Sequence, residues 1–160
     1  MSASEPQAFF RHTLATLAYR SAKVLRDCPE GFAEFRIGPT SRSAGEILSH
    51  MGDLLAWAGH LATGGEFQYN QPVESWEKES ERFFGGIRHL DECLASGGPL
   101  NCPLEKLFQG PIADALTHTG QLGQMRRLAG APVRGENYFK ADIAAGRTGA
   151  EQAPPNAEFD

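Results

Sequence analysis

An all-α helical bundle is the fold class that the sequence predicts, and three observations carry it. Apolar residues recur at three- and four-residue steps in four separate stretches, glycine and proline punctuate the intervals, and no segment alternates with the two-residue period of a strand. A chain of 160 residues with four such stretches matches one domain around one core.

The first helix is expected from about Pro6 to Arg26, with Phe10, Leu14, Leu17, Val24 and Leu25 as its buried stripe. Cys28-Pro29-Glu30-Gly31 ends it, and residues 32–42 read as a long irregular connection containing Gly38 and Pro39. Ser43 followed by Glu46 forms a capping box that opens the second helix. Its stripe is Ile47, Met51, Leu54, Leu55, Ala58 and Leu61, and Gly64-Gly65 supplies the stop. The third helix spans about Ser75 to Leu94, where Trp76, Phe83, Ile87, Leu90 and Leu94 share a face. Residues 103–108 read as a helical turn before the fourth main helix, which is expected to begin near Pro111, a residue suited to a first helical position. Ala115, Leu122, Met125 and Ala129 form its apolar row, Arg126 and Arg127 complement its dipole, and Gly130 stops it. Beyond Ala131 the periodicity is lost. Tyr138, Phe139 and Ile143 are expected to pin the early part of this segment, and the domain is drawn as residues 1–146 with residues 147–160 a flexible tail.

Hydrophobic residues make up 41% and charged residues 22% of the chain, values ordinary for a globular domain. Lys and Arg total 15 against 20 Asp and Glu, a formal net charge of -5, which argues against a broad nucleic-acid-binding surface. The opening MSASEPQAFFRH lacks a basic region followed by an apolar one, and no stretch approaches the length of a membrane span, so a cytoplasmic protein is expected. Three cysteines, Cys28, Cys93 and Cys102, have no paired spacing and read as reduced thiols.

Chemistry concentrates in Asp114-Ala-Leu-Thr-His118-Thr-Gly-Gln121. Asp114 and His118 are four apart and share a helix face, and Gln121 and Met125 extend the row. On the second helix His50 lies on the apolar stripe between Ile47 and Leu54, where an imidazole needs a partner. Spacing leaves two readings open: a structural cluster in which the three side chains satisfy one another, or a site of two nitrogens and one oxygen for a divalent metal, with open positions as in catalytic zinc or non-haem iron centres. His60 falls about a quarter-turn off the face of His50, and His12 and His89 lie on other helices, so all three read as packing or surface residues. Trp57 is expected in the core or on a pocket rim, and Gln121 as a hydrogen-bonding support for a ligand. Glu136, Asn137 and Tyr138 stand where a returning segment could cover the site. No glycine-rich nucleotide loop, nucleophile elbow or Cys-x-x-Cys pattern occurs.

The segments SAGEILSHMGDLLAW and DALTHTGQLGQMRRLAG resemble the two signature regions of the DinB-like (DinB/YfiT) superfamily of metal-binding four-helix bundles. In that superfamily a histidine follows an E-I/L-x-x-H pattern, here His50. The other two ligands come from an H-x-x-x-H-x-G-Q pattern, whose second histidine is His118 and whose glutamine is Gln121. Its first histidine is replaced here by Asp114, a harder oxygen donor. The resemblance implies a DinB-like four-helix bundle with long connections and an irregular C-terminal tail, and His50, Asp114 and His118 as ligands. It implies zinc or nickel first, with iron or manganese as further candidates, and a homodimer, for which Trp76 is an exposed aromatic candidate. It also implies a metal-dependent enzyme of the thiol-transferase or isomerase type acting on a small-molecule substrate with a low-molecular-weight thiol. A metal-dependent hydrolase and a non-catalytic metal- or ligand-binding bundle are the alternatives, and no catalytic residue is assigned.

Overall fold

The structure, a computed structural model, describes residues 2–160. Among them are four long helices, α1 (Glu5–Leu25), α2 (Ala44–Thr63), α3 (Trp76–Ala95) and α5 (Ala113–Leu128), with a single-turn α4 (Leu104–Leu107) ahead of the last. A π turn over Phe108–Ile112 joins α4 to α5, and two-residue strands β1 (Gly135–Glu136) and β2 (Glu158–Phe159) pair antiparallel. The chain is therefore mostly helical, as its periodicity predicts. No helix of the described residues is long and apolar enough to cross a membrane.

The helix starts follow from local chemistry. Ser43 Oγ accepts from the Glu46 backbone N–H, and Glu46 returns a carboxylate oxygen to the Ser43 N–H at 2.6 Å, closing the expected capping box. Ser4 and Gln7 make a second box at the start of α1. At the other end of α2, Gly64 takes the left-handed conformation (φ 75°) that a side chain would resist.

Each main helix turns its apolar stripe inward. α1 packs on α3 and α5, and α2 packs on α3 and α5, so α1 and α2 lie on a diagonal of the four. The connection over residues 26–43 carries the chain between these diagonal helices. It is anchored by a 3₁₀ turn at Phe32–Glu34 that buries Phe32. Leu14, Leu17, Leu48, Met51, Leu55, Phe83, Ile87, Leu90, Leu94, Leu107, Ile112 and Leu122 are sealed in the centre.

Three expectations are corrected. Pro111 does not start the fourth helix, because the helical path already begins at Leu104 and Pro111 lies inside the π turn. Proline has no N–H and its ring clashes with the carbonyl four residues back. The wider turn accommodates it, and the Ala113 N–H reaches the Phe108 carbonyl five residues earlier. Trp76 is no exposed aromatic either. Its Nε1–H donates to the Leu25 carbonyl at 3.2 Å, and its ring meets Phe32 edge-on at 5.4 Å. Within the C-terminal segment, Tyr138 does pack on α1, against Tyr19 and Arg20, but Phe139 is 97% exposed and pins nothing.

Residues 147–160, expected as a flexible tail, include β2, which pairs with β1. Strands of two residues are too short to show a period in sequence.

Candidate metal centre

Two helices supply the candidate ligands. The stripe of α2 that holds Ile47, His50 and Leu54 faces α5, and the π turn sets the angular register at which Asp114 and His118 leave α5, since one extra residue rotates the rest of the helix by about 100°. His50 Nε2 lies 3.4 Å from Asp114 Oδ2, and His118 Nε2 lies 3.3 Å from Asp114 Oδ1. The two imidazoles meet edge to face with centroids 4.9 Å apart. One ligand atom from each residue falls within 4.8 Å of the others, so the group could hold a metal ion.

The donor chemistry fits a cation. Gln121 Oε1 is 2.8 Å from His118 Nδ1. An amide oxygen only accepts, so Nδ1 carries a hydrogen, and Nε2 is the ring nitrogen that faces Asp114. Charge-assisted hydrogen bonds between imidazole and carboxylate close to about 2.7–2.9 Å, whereas neighbouring ligands of a tetrahedral ion with bonds of about 2.0–2.1 Å stand about 3.3 Å apart. At 3.4 and 3.3 Å both carboxylate–imidazole contacts are longer than that hydrogen-bond range, and each imidazole faces a different oxygen of the one carboxylate. Burial lowers the pKa of His50, Arg42 and His118 lower it further, and Asp114 opposes them in part. The net shift favours the neutral imidazole, the form that ligates.

The cluster is reachable from solvent: the Asp114 side chain is 45% exposed and that of His118 12%. A cleft flanks it on either side. One is lined by Leu54, Trp57, Gln109, Gly110, Ala113, Asp114 and Thr117. The other, of about 330 Å³, is lined by Ile37, Ser41, Arg42, Ile47, Gln121, Gln124, Met125 and Leu128. Ile47 precedes His50 by one turn and Gln121 comes one turn after His118, while Leu54 and Gly110 lie one turn the other way. α2 and α5 therefore run antiparallel along a single groove with the cluster at its middle.

The structure brings together His50, Asp114, His118 and Gln121, and it places Trp57 on the rim of the first cleft, 38% exposed. His60 bonds the Gly65 carbonyl and stacks on Phe67; His89 lies by Cys93. Neither lines either cleft. Glu136 and Tyr138 do not cover the site: Glu136 accepts from Tyr19 Oη and Lys23 Nζ, and Tyr138 lies under Arg20, all on α1. The residue that sequence reasoning missed is Arg42. Its position directly before the capping box, about two turns from His50, was the available signal.

Comparisons with protein-family models, with curated proteins and with solved structures find no match to this chain.

Proposed function

We propose that the chain is a DinB-like metal-binding protein, a metal-dependent enzyme of the thiol-transferase or isomerase type. His50, Asp114 and His118 are the ligands, and Gln121 orients His118. The observation that carries the metal is the Asp114 carboxylate held 3.3–3.4 Å from two imidazole nitrogens, with one candidate ligand atom from each of the three residues within 4.8 Å of the others. Two nitrogens and one oxygen suit zinc or nickel, and the hard carboxylate also admits iron or manganese. A divalent ion in an open site would supply the positive charge that holds a low-molecular-weight thiol as its thiolate at neutral pH.

The chain's own thiols favour a nucleophile brought in by a cosubstrate. Burial raises the pKa of Cys28, Cys93 and Cys102 alike, and none lines either cleft beside the cluster. The groove supplies binding instead, with Trp57, Gln109 and Thr117 on one side and an apolar wall on the other.

Elemental analysis of the purified protein beside Asp114→Ala and His118→Ala tests the site, with helicity checked by circular dichroism. About one divalent ion per chain is expected, lost in both folded variants. A folded parent that takes up no metal after reconstitution would leave the three side chains as a structural polar cluster.

A further inference from the structure

The cleft on the Gln121 side differs from its counterpart in being mostly apolar with one cation at its rim. Ile47 and Met125 form its floor, and Ile37 and Leu128 stand 63% and 57% exposed at its edges with nothing over them. Arg42 is exposed beside them and, among the described residues, pairs with no carboxylate. Arg36, in the same connection, is already held by Glu46 at 2.9 Å. A guanidinium matches a carboxylate in shape and charge, and aliphatic walls match a hydrocarbon body.

We propose that this cleft, whose Ile47 and Gln121 lie one helical turn from His50 and His118, binds a small carboxylate, its apolar body against Ile37, Ile47, Met125 and Leu128 and its anionic head on Arg42. The inference rests on the proposed function in taking the groove as the substrate side of that site. Its volume of about 330 Å³ lies in the range of small-molecule pockets. A carboxylate held by Arg42 leaves the opposite cleft, beside Trp57 and Thr117, to a second reactant.

The test uses hexanoate and 1-hexanol as probes on the metal-free protein, read by calorimetric titration and by methyl NMR shifts of Ile37, Ile47, Met125 and Leu128. Hexanoate is expected to bind saturably and at least about tenfold more tightly than the alcohol. Arg42→Gln should abolish that preference, Arg42→Lys should keep part of it, and Leu128→Glu should repel the anion. The zinc content of Arg42→Gln should equal that of the parent. Equal binding of acid and alcohol, no saturable binding of hexanoate, or hexanoate binding that requires zinc and ignores Arg42→Gln would each overturn the proposal. Because the probes are read without metal, loss of the cleft and loss of the metal site give separate results.

Discussion

At the scale of single residues, Gln121 decides what His118 can do. Its Oε1 accepts from Nδ1 and so orients the ring with Nε2 towards Asp114. Gln121→Ala is expected to weaken metal affinity about 10- to 100-fold with helicity intact, measured by competition against a chromogenic chelator. His118 and Asp114 were legible in the sequence because four residues along a helix bring two side chains to one face, and His50 because it interrupts an apolar stripe. Arg42 was not legible as a site residue. It belongs to an irregular connection, and only the path of residues 26–43 across the bundle decides which groove it borders.

Among the elements, two adjacent glycines of α3 should respond oppositely to the same change. A Cβ on Gly86 would stand 2.6 Å from Leu55 Cβ of α2, whereas one on Gly85 meets nothing. Gly86→Ala should therefore destabilise by about 1–3 kcal/mol through overpacking, and Gly85→Ala should stabilise by up to about 1 kcal/mol through helix propensity. Urea unfolding of the two variants checks both signs. Arg126 ties α5 to α1. Its buried guanidinium donates at 2.7–3.1 Å to the carbonyls of Val24, Arg26 and Asp27, at and just beyond the end of α1, and to that of Ala131, just beyond α5. Arg126→Met should cost about 1.5–3 kcal/mol in the same assay. Arg126→Lys should recover little, since an ammonium cannot span four carbonyls. In sequence Arg126 looked like a last-turn charge on its own helix, because its partners are about 100 residues away. Capping boxes and glycine stops were readable from a few neighbouring residues; the π turn was not, since Pro111 is equally acceptable at a helix start.

Across the whole molecule, the chain end closes on its beginning. Lys23, buried in α1, donates to Glu136 at 2.8 Å and to Glu158 at 3.1 Å, and Tyr19 donates to the same Glu136. Burial and the bond to Glu136 raise the pKa of Tyr19 well above its ordinary 10.0. Burial pulls Lys23 down, but its bonds to Glu136 and Glu158 outweigh this and raise it above 10.5. A folded-state pKa raised above the unfolded value gives stability that is complete below the unfolded pKa and is lost as pH rises beyond it. Melting temperature should therefore hold to about pH 10 and fall above it. Tyr19→Phe, which has no proton to lose there, should fall less steeply between about pH 10 and 11 in thermal melts read by circular dichroism. By itself the sequence determined the helices, their inward faces and the three residues of the cluster, because helical period and spacing act over a few neighbours. Tertiary structure alone decided that His50 meets Asp114, that Arg42 borders an apolar cleft beside them, and that Glu136 and Glu158 serve Lys23 rather than the cluster. Those contacts join residues far apart along the chain, and only the packing of the helices and the path of the connections bring them together.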